Sequence, residues 1–410
     1  MCYDKRKKGD KFMKKFKFIV CSVAAVLAIS ACTGGNKKNK ELPAGELPEG
    51  GTVVDIKTEQ GKADIYNELM SVIDAYTGGE FTAIGLKSET KNVNIGAKVN
   101  VKEEQEEGDP IQIVDVDASL TNFGATIEAK IAGDDESWQG QVSLSGLSGD
   151  LKAKVDAMVD EDATISIDDS LSFKDVGAEA YLTGSAVYVD ASGAGLRQLL
   201  TDAGPIVNKV LKQSGLLPVG GVSIDLNELI DGFTGAERKF YIPVDLSGFN
   251  PIALLNTIQM DDEDKPSEAD WLNTAAVIEQ IPFIEFKSYE DGRFGIGTHV
   301  TKQGILDVVA KIGDEDDVED VTESLQVLPE LDVKAALVIR ANGLIDSLSI
   351  GGSFKLDIQD EDDGTLTDAK VSASLEERLS LMYNDEVKLS IPSQEVLDTY
   401  QQLNTEALGD

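Results

Sequence analysis

Between Phe81 and Val189 apolar and polar residues alternate almost without a break, and no other feature constrains the fold as tightly. Val93, Ile95, Ala97, Val99 and Val101 are interleaved with Asn94, Gly96, Lys98 and Asn100. Ile127, Ala129 and Ile131 are interleaved with Thr126, Glu128 and Lys130. A helix carries its side chains round the axis and cannot keep such a set on one side. A strand sends successive side chains to opposite faces and can. The expected product is an antiparallel meander with one apolar and one wet face. Glu107–Pro110, Gly133–Asp135, Ser148–Asp150 and Gly184-Ser185 read as turns between strands of about ten residues.

The pattern returns near the C-terminus. Val333, Ala335, Leu337 and Ile339 alternate up to Asn342-Gly343, a strong hairpin signal. Leu348, Ile350, Phe354, Leu356 and Ile358 follow, then Val371, Ala373 and Leu375, then Val387, Leu389 and Ile391 before Pro392. Helical spacing occupies 61–77 and the middle of the chain. Leu196, Leu199 and Leu200 form a stripe, and Pro205 restarts a helix carrying Val210 and Leu211. Asp225-x-x-Glu228, Asn250-Pro251 and Ser267-x-x-Asp270 read as helix starts. Pro392-Ser393 opens a last helix through Leu403. The fold class expected is α+β: a large curved antiparallel sheet wrapped around several helices. The two strand runs form one such sheet or two separate α+β domains. No linker divides them, which favours one domain over 53–410.

The N-terminus predicts export. Residues 1–18 carry eight bases and two acids, and the apolar run Ile19–Ile29 follows. About eleven residues are too few to cross a bilayer and fit a signal h-region. The run ends in Ile29-Ser30-Ala31-Cys32, which resembles the bacterial lipobox. That resemblance implies cleavage between Ala31 and Cys32, removal of 1–31, and a diacylglycerol on the Cys32 sulfur. The mature chain would sit on the outer side of a cell membrane. Residues 32–52 would be the lipidated cysteine and a flexible tether rich in Gly, Pro, Lys and Glu.

Charge and cysteine count then exclude much. The chain has 37 basic and 74 acidic residues, a net charge of −37, and loss of the signal takes it to −43. No basic footprint for nucleic acid exists. With Cys2 and Cys21 removed and Cys32 acylated, no disulfide, thiolate nucleophile or cysteine metal site is expected. No catalytic residue, metal or cofactor is assigned. His299 has no nucleophile to serve and reads as an ordinary strand residue. Ser88-Glu89-Thr90-Lys91 has the Ser-x-x-Lys spacing of penicillin-binding enzymes without their companion motifs. The acidic runs Asp261–Asp264, Asp314–Asp317 and Asp360–Asp363 fit no calcium loop and read as solvated loop tips.

The element order resembles the LolA-like envelope lipoproteins, including the LppX-LprG group. The stretches that carry the resemblance are Ala180–Val189, Leu337–Ile345 and Val387–Pro392. It implies an unclosed half-barrel curled around the helices and an apolar cavity between them, with Val93, Ile95, Val99, Leu337, Ile339, Phe354, Leu356, Leu389 and Ile391 as its candidate lining. The function expected is non-catalytic binding of a lipid or other apolar ligand by a membrane-anchored protein. The alternative is a structural or adhesive module that acts through protein contacts.

Overall fold

The structure is a computed structural model and describes residues 43–103, 111–134, 137–160, 163–213, 223–246, 248–258, 265–313, 315–362 and 365–403. The signal segment, Ala31, Cys32 and the acidic run Asp261–Asp264 lie outside the described residues, as do Asp314 and the side chains of Asp360–Asp363.

One 13-stranded sheet runs through the molecule in the order β1-β8-β9-β10-β11-β12-β2-β3-β4-β5-β6-β7-β13. Its centre is six long strands: β11 (Ile345–Asp362), β12 (Thr365–Tyr383), β2 (Ala83–Glu103), β3 (Ile111–Gly133), β4 (Trp138–Asp160) and β5 (Ala163–Leu182). One flank holds β1 (Thr52–Val53), β8 (Ile284–Ser288), β9 (Phe294–Thr301) and β10 (Glu330–Ile339). The other holds β6 (Ala186–Asp190), β7 (Lys239–Pro243) and the two-residue β13 (Gln401–Gln402). All pairs are antiparallel except β13 with β7. The end strands β1 and β13 do not meet, so the sheet is unclosed.

This corrects the α+β expectation. The molecule is mostly β, and its few helices lie against parts of the sheet without being enclosed by it. The reason lies in the strands, which are 18 to 23 residues long rather than about ten. Ser148-Gly149-Asp150, which reads as a turn, lies inside β4, where Asp150 pairs with Ser172 and Gly149 with Phe173. Gly133-Asp134 and Gly184 do turn the chain, as Asn342-Gly343 does with Gly343 at φ 80°.

The long strands survive because β-bulges absorb each change of phase. The register shifts at Thr90/Val93 in β2, Thr121/Gly124 in β3 and Leu144/Leu147 in β4, where β4 pairs with β5. Each of these four strands carries one residue at positive φ there: Asn92 (53°), Asn122 (53°), Gly146 (62°) and Asp175 (52°). Gly, Asn and Asp are the residues that tolerate this region. The four bulges sit side by side and make a crease across the sheet. Even-numbered residues of β2 face one side before it and odd-numbered residues after it.

The helices cover one end. Thr58 caps α1 (Glu59–Thr77) by accepting from Gly61 N at 3.0 Å. α1 and α5 (Glu268–Ile278), with the Ser267/Asp270 capping box, lie over β8–β10. Their core joins Ile65, Trp271 and Ala275 to Phe286, Phe294 and Ile339. α2 (Ala194–Gln213) is one continuous helix through Pro205 and lies along β5, with Gln213 Nε2 donating to Ser166 O at 2.8 Å. It blunts an edge that β6 pairs only over Glu179–Leu182. α3 (Leu226–Thr234) and α4 (Pro251–Asn256) start at Asp225 and Asn250, as their cap residues predict. α6 (Lys302–Ile312) and α7 (Glu315–Ser324) join β9 to β10, and α8 (Gln394–Leu397) is a single turn rather than a helix to Leu403.

Two irregular segments cover the opposite face of the same end. Of the stretch read as tether, residues 44–48 are packed. Leu47 is buried against Ala336 and Val338, Gly45 N donates to Ser349 Oγ at 3.1 Å, and Lys334 pairs with Glu46 at 2.7 Å. A Cβ on Gly351 would lie 2.4 Å from Ala44 O, and one on Gly295 2.8 Å from Leu47 Cδ2, so glycine is what lets this strap lie flat. The C-terminal segment crosses β4 and β5, where Ser390 N donates to Gln141 Oε1 at 2.9 Å and Leu397 and Tyr400 pack on Tyr181.

Candidate functional site

Residues directly opposite in an antiparallel pair share a face, so the register fixes each face of the long strands. Beyond the crease one row is Phe354, Ala373, Ile95, Leu120, Leu151 and Leu171. The next is Leu356, Val371, Ala97, Ala118, Ala153 and Asp169. The third is Ile358, Ala369, Val99, Val116, Val155 and Ile167. Val101, Val114 and Ala157 begin a fourth. This is face A. Asp169 is the one charged member of the first three rows, and it is neutralised by Lys209 of α2 at 2.6 Å; the fourth continues from Val101 to Thr367 and Asp360.

The other face, face B, is wet. Its matching row reads Asp357, Lys370, Lys98, Asp117, Lys154 and Asp168. Lys98 meets Asp117 at 2.7 Å, and Lys154 meets both Asp115 and Asp156 at 3.3 Å. Alternating charge on neighbouring strands stabilises the pairing a little and holds the face in water.

Face A has no comparable partner. None of the described side chains in those rows is buried: Ile95 is 43% exposed and Leu151 41%. Ile127 and Val142, on the near side of the crease, are 38% exposed each. The buried clusters all lie toward the covered end, at β8–β10, under Leu47 and around Tyr181. Among the described residues, then, nothing lies over face A of β11, β12 and β2–β4 beyond the crease. An apolar surface this continuous marks an interaction site.

At the crease face A carries a buried acid. Glu377 is 5% exposed and accepts from the hydroxyls of Ser88 and Thr90, one on each carboxylate oxygen. Burial raises its pKa above the ordinary glutamate value. The two hydroxyl donors pull the other way and are outweighed. Ser88 is buried with it, so the Ser-x-x-Lys serine is a hydrogen-bond donor inside a strand.

The nine residues named from sequence do not share one site. Ile95, Val99, Phe354 and Leu356 lie together on the open half of face A, and Val93 stands beside the bulge at Asn92. Leu337 and Ile339 belong to the core under α1 and α5. Leu389 and Ile391 follow β12 in the segment that crosses face B, and Ile391 packs near Tyr181. Of the helical stripe, Val210 is exposed. Leu200 lines a groove of about 630 Å³ between α2 and residues 223–227, where Asn208 holds the Ile224 backbone at both ends. His299 faces Asp332 at 2.9 Å on the surface, an exposed pair worth little. Among the described residues no cluster of His, Cys, Asp and Glu could hold a metal ion, and no helix is long and apolar enough to cross a membrane.

What sequence reasoning missed is the crease and the acid on it. Four residues suited to positive φ fall in line across neighbouring strands, a signal that only the pairing reveals.

No family model matches the chain, and no curated protein matches it. Among solved structures, the outer membrane protease OmpT from Escherichia coli is 6% identical, covers 73% of this chain and 97% of its own, and has a TM-score of 0.14. The translocator domain of autotransporter NalP from Neisseria meningitidis is 8% identical, covers 80% and 98%, and has a TM-score of 0.10. Similarities at these TM-scores carry no argument about fold or function.

Proposed function

We propose that this chain is a non-catalytic envelope protein, held on the outer side of a cell membrane by a diacylglycerol on Cys32, that works through contact of its open apolar face with another apolar surface. One observation carries the reading: among the described residues nothing covers face A of β11, β12 and β2–β4 beyond the crease, while both faces of the opposite end are packed. Small-molecule sites are concave and enclose most of their ligand. An open face that crosses several strands suits an extended partner surface, which is the structural or adhesive module. Lipid binding is the second reading, favoured by the aliphatic makeup of the same rows.

The anchor and the face are tested together. Cys32→Ala should release the chain from membranes after signal removal, because the two acyl chains are what make the attachment stable. Persistence in the membrane fraction would overturn the lipobox reading. The released chain then goes into native mass spectrometry. A chain free of lipid that binds an apolar dye, and loses the dye on Val99→Lys, supports the contact module. Stoichiometric bound lipid supports the second reading.

A further inference from the structure

We propose that the partner of face A is a second copy of this chain, the two open half-sheets stacking face to face. The inference rests on the contact reading above and names its partner. The five open strands about 4.8 Å apart, over four rows, make a face about 24 Å by about 26 Å. That is about 620 Å² per copy and about 1,250 Å² for the pair, at the lower end of the standard size of a specific interface.

The relief of the face is self-complementary. On β2–β4 the middle row is low, with Ala97, Ala118 and Ala153, and it rises to Val371 and Leu356 on β12 and β11. It is flanked by taller rows, Ile95, Leu120 and Leu151 on one side and Val99, Val116 and Val155 on the other. A ridge of one copy fits the trough of the other, and a two-fold axis makes the fit reciprocal. Charge permits the contact although each copy is strongly acidic. In the three apolar rows the one acid, Asp169, is already paired with Lys209, and the charges of the matching row stand on face B, turned away from the contact. Across two sheets, repulsion between the outer faces is screened over about 8 Å at physiological salt. Anchoring both copies in one membrane raises their effective concentration further.

The test uses the full chain in its native membrane. Val99→Cys and Val116→Cys place a thiol on face A, and Asn100→Cys and Asp115→Cys place one on face B. Stacked sheets lie about 10 Å apart, within reach of a short bis-maleimide. Both face A variants should give a cross-linked dimer, both face B variants should not, and Val116→Lys added to Val99→Cys should abolish the dimer. If the face A thiols react with a small maleimide and yield no dimer, the second copy is overturned and the exposed-face reading stands. If they react only after denaturation and yield no dimer, another occupant covers the face and the second copy is overturned.

Discussion

Glu377 places a carboxylate on an apolar surface with two hydroxyls for company. In the unfolded chain it titrates near pH 4.5, and in the fold its pKa is raised, chiefly by burial. The folded state therefore holds the proton more tightly. That contribution to stability is fully present below the unfolded value and is lost as pH rises through the folded one. Above that window an ionised Glu377 weighs against the fold. Glu377→Gln keeps the shape and removes the charge, so the variant should gain on the wild type as pH rises from 4.5 toward 8. Denaturant melts at several pH values read this directly, and a difference that does not change with pH would remove the acid from the account. Ser88→Ala leaves Oε1 without its donor and should destabilise the fold by about 1–3 kcal/mol in the same assay.

The bulges show how an element is read correctly in part. At Asp175 φ is 52°, a conformation that costs a β-branched residue roughly 1–2 kcal/mol. Asp175→Val should destabilise by about that much and Asp175→Gly hardly at all, measured by chemical denaturation; equal losses would mean that side-chain contacts decide the position. The alternation that named β2–β5 was legible in the sequence because period two is local. So were the caps at Asp225, Asn250 and Ser267, whose side chains bond amides two or three residues on. The difference between a turn and a bulge was not legible. Ser148-Gly149-Asp150 has the composition of both, and only the pairing of β4 with β5 selects the bulge. The strap was hidden for the same reason. Leu47 sits in a run of Pro, Gly and Glu, and its burial depends on Gly295 and Gly297, about two hundred and fifty residues away. Leu47→Ala should cost about 2 kcal/mol, because it empties a site those glycines leave open. An unchanged melt would mean that Gly45 and Glu46 hold the strap without it.

At the scale of the whole molecule the sheet is one hydrogen-bonded object with two unequal halves. The covered end has helices on face A and two irregular segments on face B. Beyond the crease, cross-strand contacts and ion pairs stand in for a core. The sequence marks face A as apolar in both halves but does not say which half the helices cover, because that depends on where the connections between β6 and β10 fold back. The same substitution on either side of the crease separates the halves. Ile65 is fully buried among Trp271, Phe286 and Phe294, so Ile65→Ala leaves a cavity and should cost about 2–5 kcal/mol. Ile95 is 43% exposed and touches its neighbours only sideways. With none of the described residues above it to leave a void, Ile95→Ala should lose only part of the transfer term, about 1 kcal/mol. Both are to be measured by denaturant unfolding at concentrations low enough for single copies. Comparable losses would show that face A is packed within one chain. If the Ile95→Ala loss grows with protein concentration while the Ile65→Ala loss does not, the missing contact lies in a second molecule, since only an intermolecular term depends on mass action.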